Sequence, residues 1–172
     1  MIQSMFDWIY IRCCRLYYVM LFRYLKSQHH LSYIVRKCPF HDLRVKAWIK
    51  MGNKVGNATF INHSITILAS PDIEHNVILG DRVALAPNVT FITFSAPNSS
   101  NLRNNTNTQK YIRKAPIKVG DDSWIGAGVI IQPGVIIGKN CIIGSMSNVT
   151  KNVPDNAMGY GNPFRVIKYL NI

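Results

Sequence analysis

The stretch Ile125-Gly-Ala-Gly-Val-Ile-Ile131-Gln-Pro-Gly-Val-Ile-Ile137-Gly-Lys-Asn-Cys-Ile-Ile143-Gly-Ser-Met-Ser-Asn-Val149 carries an aliphatic residue at every sixth position. Val119 extends this run backwards, and a second run of the same period reads Val55, Ile61, Ile67, Ile73, Leu79, Leu85 and Phe91. A helix repeats every 3.6 residues and a strand every two, so neither accounts for a period of six. A short internal repeat marks a solenoid, in which each unit buries its apolar face only against its neighbours. With six residues per side and three sides per coil, residue i is expected beneath residue i+18, and the aliphatics fill a triangular prism of about six coils. Gly, Ala, Asn or Asp follows most of the aliphatics, where corners between short strands need tight or left-handed backbone. The small residue or Val four places on is expected to share the interior.

Two stretches are specific. One is Asp122-Ser-Trp-Ile-Gly-Ala-Gly-Val-Ile-Ile-Gln-Pro-Gly-Val-Ile-Ile-Gly138; the other is Val149-Thr-Lys-Asn-Val-Pro154, leading to Gly161-Asn-Pro163 and Arg165-Val-Ile167. With them the chain, over residues 52–170, resembles the hexapeptide-repeat acyltransferases. The branch it is similar to is the sugar O-acetyltransferases, which includes maltose and galactoside acetyltransferases and polysaccharide-modifying enzymes. The resemblance implies an all-β solenoid, a left-handed parallel β-helix. It also implies acetyl-CoA as cosubstrate, no metal, a carbohydrate hydroxyl as acceptor, and a homotrimer. The handedness comes from the resemblance alone.

The chain has 172 residues, 48% of them hydrophobic, with 20 Lys and Arg against 8 Asp and Glu. Residues 1–50 hold nine basic and two acidic residues, so much of the net +12 sits there. Such charge attracts phosphates, nucleic acid or anionic membrane. No zinc-finger spacing, recognition-helix pattern or aromatic RNA motif supports nucleic acid as a partner. Cys13 and Cys14 are adjacent, Cys38 and Cys141 stand apart, and no CxxC occurs, so the reading is four reduced, buried thiols. No secretory signal core is present, and Leu16–Phe22 is too short to span a bilayer. The expected location is the cytoplasm, with the inner face of the membrane as the alternative.

Three segments are expected: a basic helical extension over 1–51, the β-helix over 52–156 with a protruding loop at 97–113, and a tail over 157–172. Residues 2–26 read as an amphipathic helix through Ile2, Met5, Phe6, Ile9, Cys13, Leu16, Tyr17, Met20, Leu21, Tyr24 and Leu25, with Gln28-His-His30 ending it. A second helix is expected from Asp42 to Met51, stopped by Gly52. The first helix has two readings: packing against the prism or a neighbouring subunit, or contact with a membrane surface. The loop follows from the 28-residue gap between Phe91 and Val119, which breaks the six-residue phase.

O-acetylation needs a base for the sugar hydroxyl, and neutral imidazole suits that task near pH 7. The resembling family places a histidine just before the loop, as Thr-His-Asp or His-Pro. Here Phe94 or Ala96 occupies that position, in Phe91-Ile-Thr-Phe-Ser-Ala-Pro-Asn98. Of the five histidines, His29, His30 and His41 lie in the extension. His75 is expected one coil beneath Thr93, about 4.8 Å away, with Glu74 beside it as a substrate-binding or orienting group. His63 is the second candidate base. Asn62 matches a substrate-binding asparagine of the sugar acetyltransferases, and Asn62-His63 is similar to the Asp-His of serine acetyltransferases. The family's CoA contacts fall on Trp124, Ala127, Ser145, Thr150, Lys151, Arg165 and Lys168. Two other readings stand beside the enzyme: an inactive hexapeptide-repeat scaffold or CoA-binding protein, and a metal-dependent hydratase needing three convergent histidines.

Overall fold

The computed structural model describes residues 2–24 and 27–172. Met1, Leu25 and Lys26 lie outside the described residues, as do the side chains of residues 2–8 and Gln28. The predicted helix end at Lys26 and the apolar side chains of Ile2, Met5, Phe6 and Leu25 therefore lie outside them too.

Three helices lead the chain: α1 (Ile2–Tyr24), α2 (Gln28–Lys37) and α3 (His41–Lys50). The sequence reading missed α2 by taking Gln28-His-His30 as a helix end. Instead Ser27 caps a new helix, its hydroxyl accepting from the His30 N–H at 3.4 Å. Two coils of strands follow the helices in close succession. β1 (Lys54–Val55), β2 (Phe60–Ile61) and β3 (Thr66–Leu68) make the first, and β4 (Val77–Leu79), β5 (Ala84–Leu85) and β6 (Thr90–Ile92) the second. A short antiparallel pair, β7 (Phe94–Ser95) and β8 (Arg113–Lys114), then closes the base of the protruding segment. That segment is not wholly irregular: it holds a 3₁₀ turn at Asn101–Asn104 and a single helical turn, α4 (Thr106–Gln109). β9 (Ile117–Val119), β10 (Trp124–Ile125) and β11 (Ile130–Ile131) make the third coil, and β12 (Ile136–Ile137), β13 (Ile142–Ile143) and β14 (Asn148–Val149) the fourth. β15 (Ala157–Tyr160) starts a fifth, and β16 (Arg165–Tyr169) folds back antiparallel on it. Four complete coils thus replace the six expected.

Strands of successive coils pair in parallel to make three faces. The first is β1-β4-β9-β12, the second β2-β5-β10-β13-β15, and the third β3-β6-β11-β14. Ile61, Leu79, Leu85, Phe91, Val119, Ile125, Ile131, Ile137, Ile143 and Val149 point inward and are buried. So are most residues four places after them, including Ile65, Val83, Val89, Val129, Val135 and Cys141. Where that position is polar, it ties coils together. The Ser123 hydroxyl donates to the Gly138 carbonyl (2.8 Å) and accepts from the Cys141 N–H (3.0 Å).

The coils are not all 18 residues long. Trp124 pairs with Ile142, an offset of 18, but Phe60 pairs with Ala84, an offset of 24. The six extra residues are those around Ile73, which the period had placed inside. They leave the prism through the Pro71-Asp72 turn, and Ile73 is only half-buried. Asn76 fixes the detour: its side-chain oxygen accepts from Ser70 N–H (2.8 Å) and Thr93 Oγ1 (2.5 Å), and its amide donates to the Ser70 carbonyl (3.0 Å). The expected placement of His75 under Thr93 is therefore wrong. Thr93 hydrogen-bonds to the Leu68 carbonyl instead.

The helices cover the N-terminal end of the prism. Trp48 is fully buried and meets Phe91 edge-on, with ring centroids 5.6 Å apart. Arg44, also buried, donates to the carbonyls of Cys38 (2.7 Å) and Ile61 (3.0 Å), joining both helices to the first coil. At the corner between first and second faces, Gly56, Gly80, Gly120 and Gly138 stack; a Cβ on Gly120 would lie 2.6 Å from the Gly138 carbonyl carbon. Gly120→Ala is expected to lower unfolding free energy by about 1–3 kcal/mol in urea titration, because backbone on the next coil must move.

Candidate functional site

The predicted site residues fall at two corners, on opposite edges of the third face. At the corner between the second and third faces, Asn62-His63-Ser64 lies in the first coil. Ala86-Pro87-Asn88, Gly126-Ala127-Gly128 and Gly144-Ser145-Met146 follow in the next three, and Tyr160-Gly161-Asn162 ends the column. Backbone bonds link successive steps: Gly128 N–H to the Pro87 carbonyl (3.0 Å), and Met146 N–H to the Ala127 carbonyl (2.8 Å). Small residues keep this edge low. A Cβ on Gly128, which has φ +68°, would lie 2.5 Å from Met146 Sδ.

Beside this corner, on the second face, runs an outward ladder of Phe60, Ala84, Trp124, Ile142 and Met158. Trp124 is 57% exposed. Met158 pairs with Lys168 and Tyr160 with Arg165, so two cations cross the C-terminal end of the ladder. His63 and these cations are five strand spacings apart along the column, about 24 Å. His63 is exposed; its Nδ1 lies 3.0 Å from Ser64 Oγ, and Asn62 Oδ1 accepts from the His63 N–H at 2.8 Å.

The corner between the third and first faces holds the rest. His75 and Glu74 lie in the six-residue detour, Thr93 and Phe94 at the loop base, and exposed Thr150 and Lys151 in the fourth coil. His75 Nδ1 is 2.6 Å from the Gly52 carbonyl. A carbonyl can only accept, so Nδ1 carries the proton and Nε2 keeps the lone pair in the neutral ring. Nε2 lies 3.5 Å from a carboxylate oxygen of Glu74, whose side chain is almost fully exposed. A cleft of about 670 Å³ opens next to it, lined by Lys50, Gly52, Ser70, Glu74 and Asn76 among others. Phe94 and Ala96 line two further clefts, of about 570 and 520 Å³, under the protruding segment.

Sequence reasoning missed Asn76 as the organiser of the second corner. No local signal marks it, because a proline corner also occurs in a regular coil, at Ala86-Pro87-Asn88. Within one chain, Thr150 and Lys151 lie across the third face from Ala127 and Ser145. Of the cysteines, Cys38 and Cys141 are buried, and burial pushes both thiols up from their ordinary value. Contrary to the expectation of four buried thiols, Cys14 is only half-buried and Cys13 is exposed, because it lies on the outer side of α1. Among the described residues, no three His, Cys, Asp or Glu side chains converge as a metal site.

Residues 116–151 match the family described as bacterial transferase hexapeptide (six repeats). Those residues carry the hexapeptide repeat of that transferase family. Galactoside O-acetyltransferase of Escherichia coli (strain K12) is 38% identical over 117 residues, which are 68% of this chain and 54% of that one. This chain spans about half the length of the curated relatives it matches. Among solved structures, a maltose O-acetyltransferase from Clostridium difficile 630 superposes with a TM-score of 0.60 at 29% identity, covering 89% of both chains. A galactoside acetyltransferase in complex with coenzyme A superposes with a TM-score of 0.63 at 28% identity, covering 84% of this chain and 79% of that one.

Trp124 is carried into the hexapeptide column by a carboxylate-capped corner. Asp121 accepts from the Asp81 N–H (3.0 Å) and pairs with Lys139 (3.1 Å); Asp122 pairs with Arg82 at 2.6 and 2.8 Å. The Asp81 N–H, then Lys139, hold Asp121 below its ordinary pKa, and Arg82 does the same for Asp122. A carboxyl depressed in the fold stabilises it above the unfolded value of about 3.8, and that contribution is lost as pH falls through the lower folded value. Thermal stability is therefore expected to drop as pH falls below about 4, and Asp121→Asn to flatten that acid limb in scanning calorimetry.

Proposed function

We propose that the protein is an acetyl-CoA-dependent O-acetyltransferase that transfers acetyl to a sugar hydroxyl of a surface polysaccharide or its precursor. In this reading its coil is left-handed, it assembles as a homotrimer in the cytoplasm, and it divides into the segments 1–51, 52–156 and 157–172. The observation that carries the proposal is the column between second and third faces. It offers a small-residue edge at Ala127 and Ser145, an exposed indole at Trp124, and cations at Arg165 and Lys168. A long ligand with an apolar arm and terminal phosphates fits that order of groups. Backbone at the small-residue edge can hydrogen-bond pantetheine amides, and the cations can meet phosphates by charge-assisted bonds.

A homotrimer is supported by the split of the site. The histidine with a fixed tautomer and Lys151 lie at one edge of the third face, Ala127 and Ser145 at the other. Copies arranged around a threefold axis would bring the two edges together from neighbouring chains. Light scattering should then give three times the 19.5 kDa chain mass.

His75 is the leading base and His63 the second. With Nδ1 donating to the Gly52 carbonyl, Nε2 takes the acceptor's hydroxyl proton as its oxygen attacks the thioester carbonyl. The tetrahedral adduct collapses, the C–S bond breaks, and the CoA sulfur leaves to be protonated. Asn62 and Glu74 are the proposed acceptor contacts. His75→Ala is expected to lower kcat about 10²–10⁴-fold in a thiol-release assay with sugar acceptors, and His63→Ala to change it little. Full turnover in both variants removes histidine as the base.

A second reading, a CoA-binding protein without turnover, is favoured by one feature: Phe94 and Ala96 line their clefts where the resembling family has histidine. Calorimetry separates the cases. CoA is expected to bind, with Arg165→Ala/Lys168→Ala weakening it about tenfold or more. Binding without thiol release favours the second reading, and no heat at high micromolar CoA counts against the donor site in both.

A further inference from the structure

The three N-terminal helices are not equivalent. α2 and α3 bury Leu31, Ile34, Val35, Leu43, Ala47 and Trp48 against each other and the prism. Among its described side chains, α1 packs on the body along one edge. Tyr18 is buried there and donates to the Lys37 carbonyl (3.1 Å), Leu21 and Phe22 pack beside it, and Arg15 pairs with Asp42 at 2.7 Å. At 3.6 residues per turn, the side opposite Tyr18 carries Ile9, Cys13, Leu16 and Met20, at spacings of four, three and four. All four are exposed; Leu16 is 61% and Met20 51% accessible.

This crest has two different borders. Tyr10, Tyr17 and Tyr24 recur every seventh residue along one, and Arg12 and Arg23 lie along the other. No acidic residue occurs from Ile9 to Tyr24. A helix whose outer side faces only water is polar there. An aliphatic crest between tyrosines and arginines instead suits a bilayer interface, with the crest among acyl chains, the phenol rings at headgroup depth and the guanidinium groups on phosphates.

We propose that α1 docks the protein lengthwise on an anionic lipid bilayer. Charge complementarity selects this occupant, since the crest lies in the segment where nine cations face two acids. No described helix is long and apolar enough to cross a membrane, so the contact lies along the surface. It also reinterprets the predicted apolar stripe. Exposed Ile9, Cys13, Leu16, Tyr17, Met20 and Tyr24 point away from the body, and Tyr18 and Phe22, outside that stripe, make the packing edge.

The test is co-sedimentation of the full chain with phosphatidylcholine vesicles, alone or containing phosphatidylglycerol. Binding to phosphatidylglycerol vesicles is expected to be about tenfold tighter or more, and to weaken as salt rises. Leu16→Glu/Met20→Glu should abolish it with the thermal transition intact. Arg12→Gln/Arg23→Gln leaves the crest in place and should remove only the preference for phosphatidylglycerol. Equal sedimentation with both vesicle types, or with neither, overturns the proposal. So does a crest variant that changes the oligomeric mass by light scattering yet binds vesicles like the parent, which makes α1 a subunit contact.

Discussion

The stacking of one coil on the next is the constraint on which the rest of this protein depends. Each strand here is only two or three residues long in most coils, too short to hold a sheet by itself. Its backbone bonds go to coils above and below, and its single inward aliphatic packs on equivalents in those coils. Nothing in the middle of the prism is therefore stable alone, and the open ends need covers. Trp48 and Arg44 supply one cover, the first filling space under Phe91 and the second satisfying the Cys38 and Ile61 carbonyls. The antiparallel β16 covers the last strand of the second face, so that an open parallel edge is not left there.

The same constraint explains what could be read from sequence and what could not. Inward positions are dictated by the hydrophobic effect, and an aliphatic every sixth residue reports them directly. Ten of the thirteen are buried, and the other three, Val55, Ile67 and Ile73, lie in the first coil or the detour. Coil length is not written in that pattern. An insertion of six residues preserves the phase while shifting every later face by one, and the Ile73 segment does just that. Ile73 looked like a continuation because its spacing was right. Its exclusion depends on Asn76 bonding to Ser70 and Thr93, a long-range arrangement with no local signature. The 28-residue gap after Phe91 broke the phase and so was visible, while the neutral insertion was silent.

The helical segment was legible in kind but not in detail. Composition and spacing marked helices, yet the break near Ser27 needed a cap to be recognised, and the two adjacent histidines resembled a terminus. Which side of α1 packs was also beyond the pattern, because α1 is apolar on more than one side. Contacts with Lys37 and Asp42 decide it, and both lie on later helices.

The silent insertion has a chemical consequence. A strict 18-residue coil would have set His75 on the column beneath Thr93, with its ring free at a corner. The detour carries it to the start of the first coil, where the Gly52 carbonyl takes one ring nitrogen and leaves the other unprotonated in the neutral form. The segment that breaks the repeat thus carries the histidine whose tautomer the backbone determines. His63 sits on a regular corner, and its neighbour Ser64 can either donate or accept, so its tautomer is not determined. An acid–base role needs a defined lone pair more than it needs a regular address. On that argument the irregular coil, rather than the regular ones, is where chemistry would reside, while the regular corners at Ala127 and Ser145 give a ligand a uniform edge to lie along.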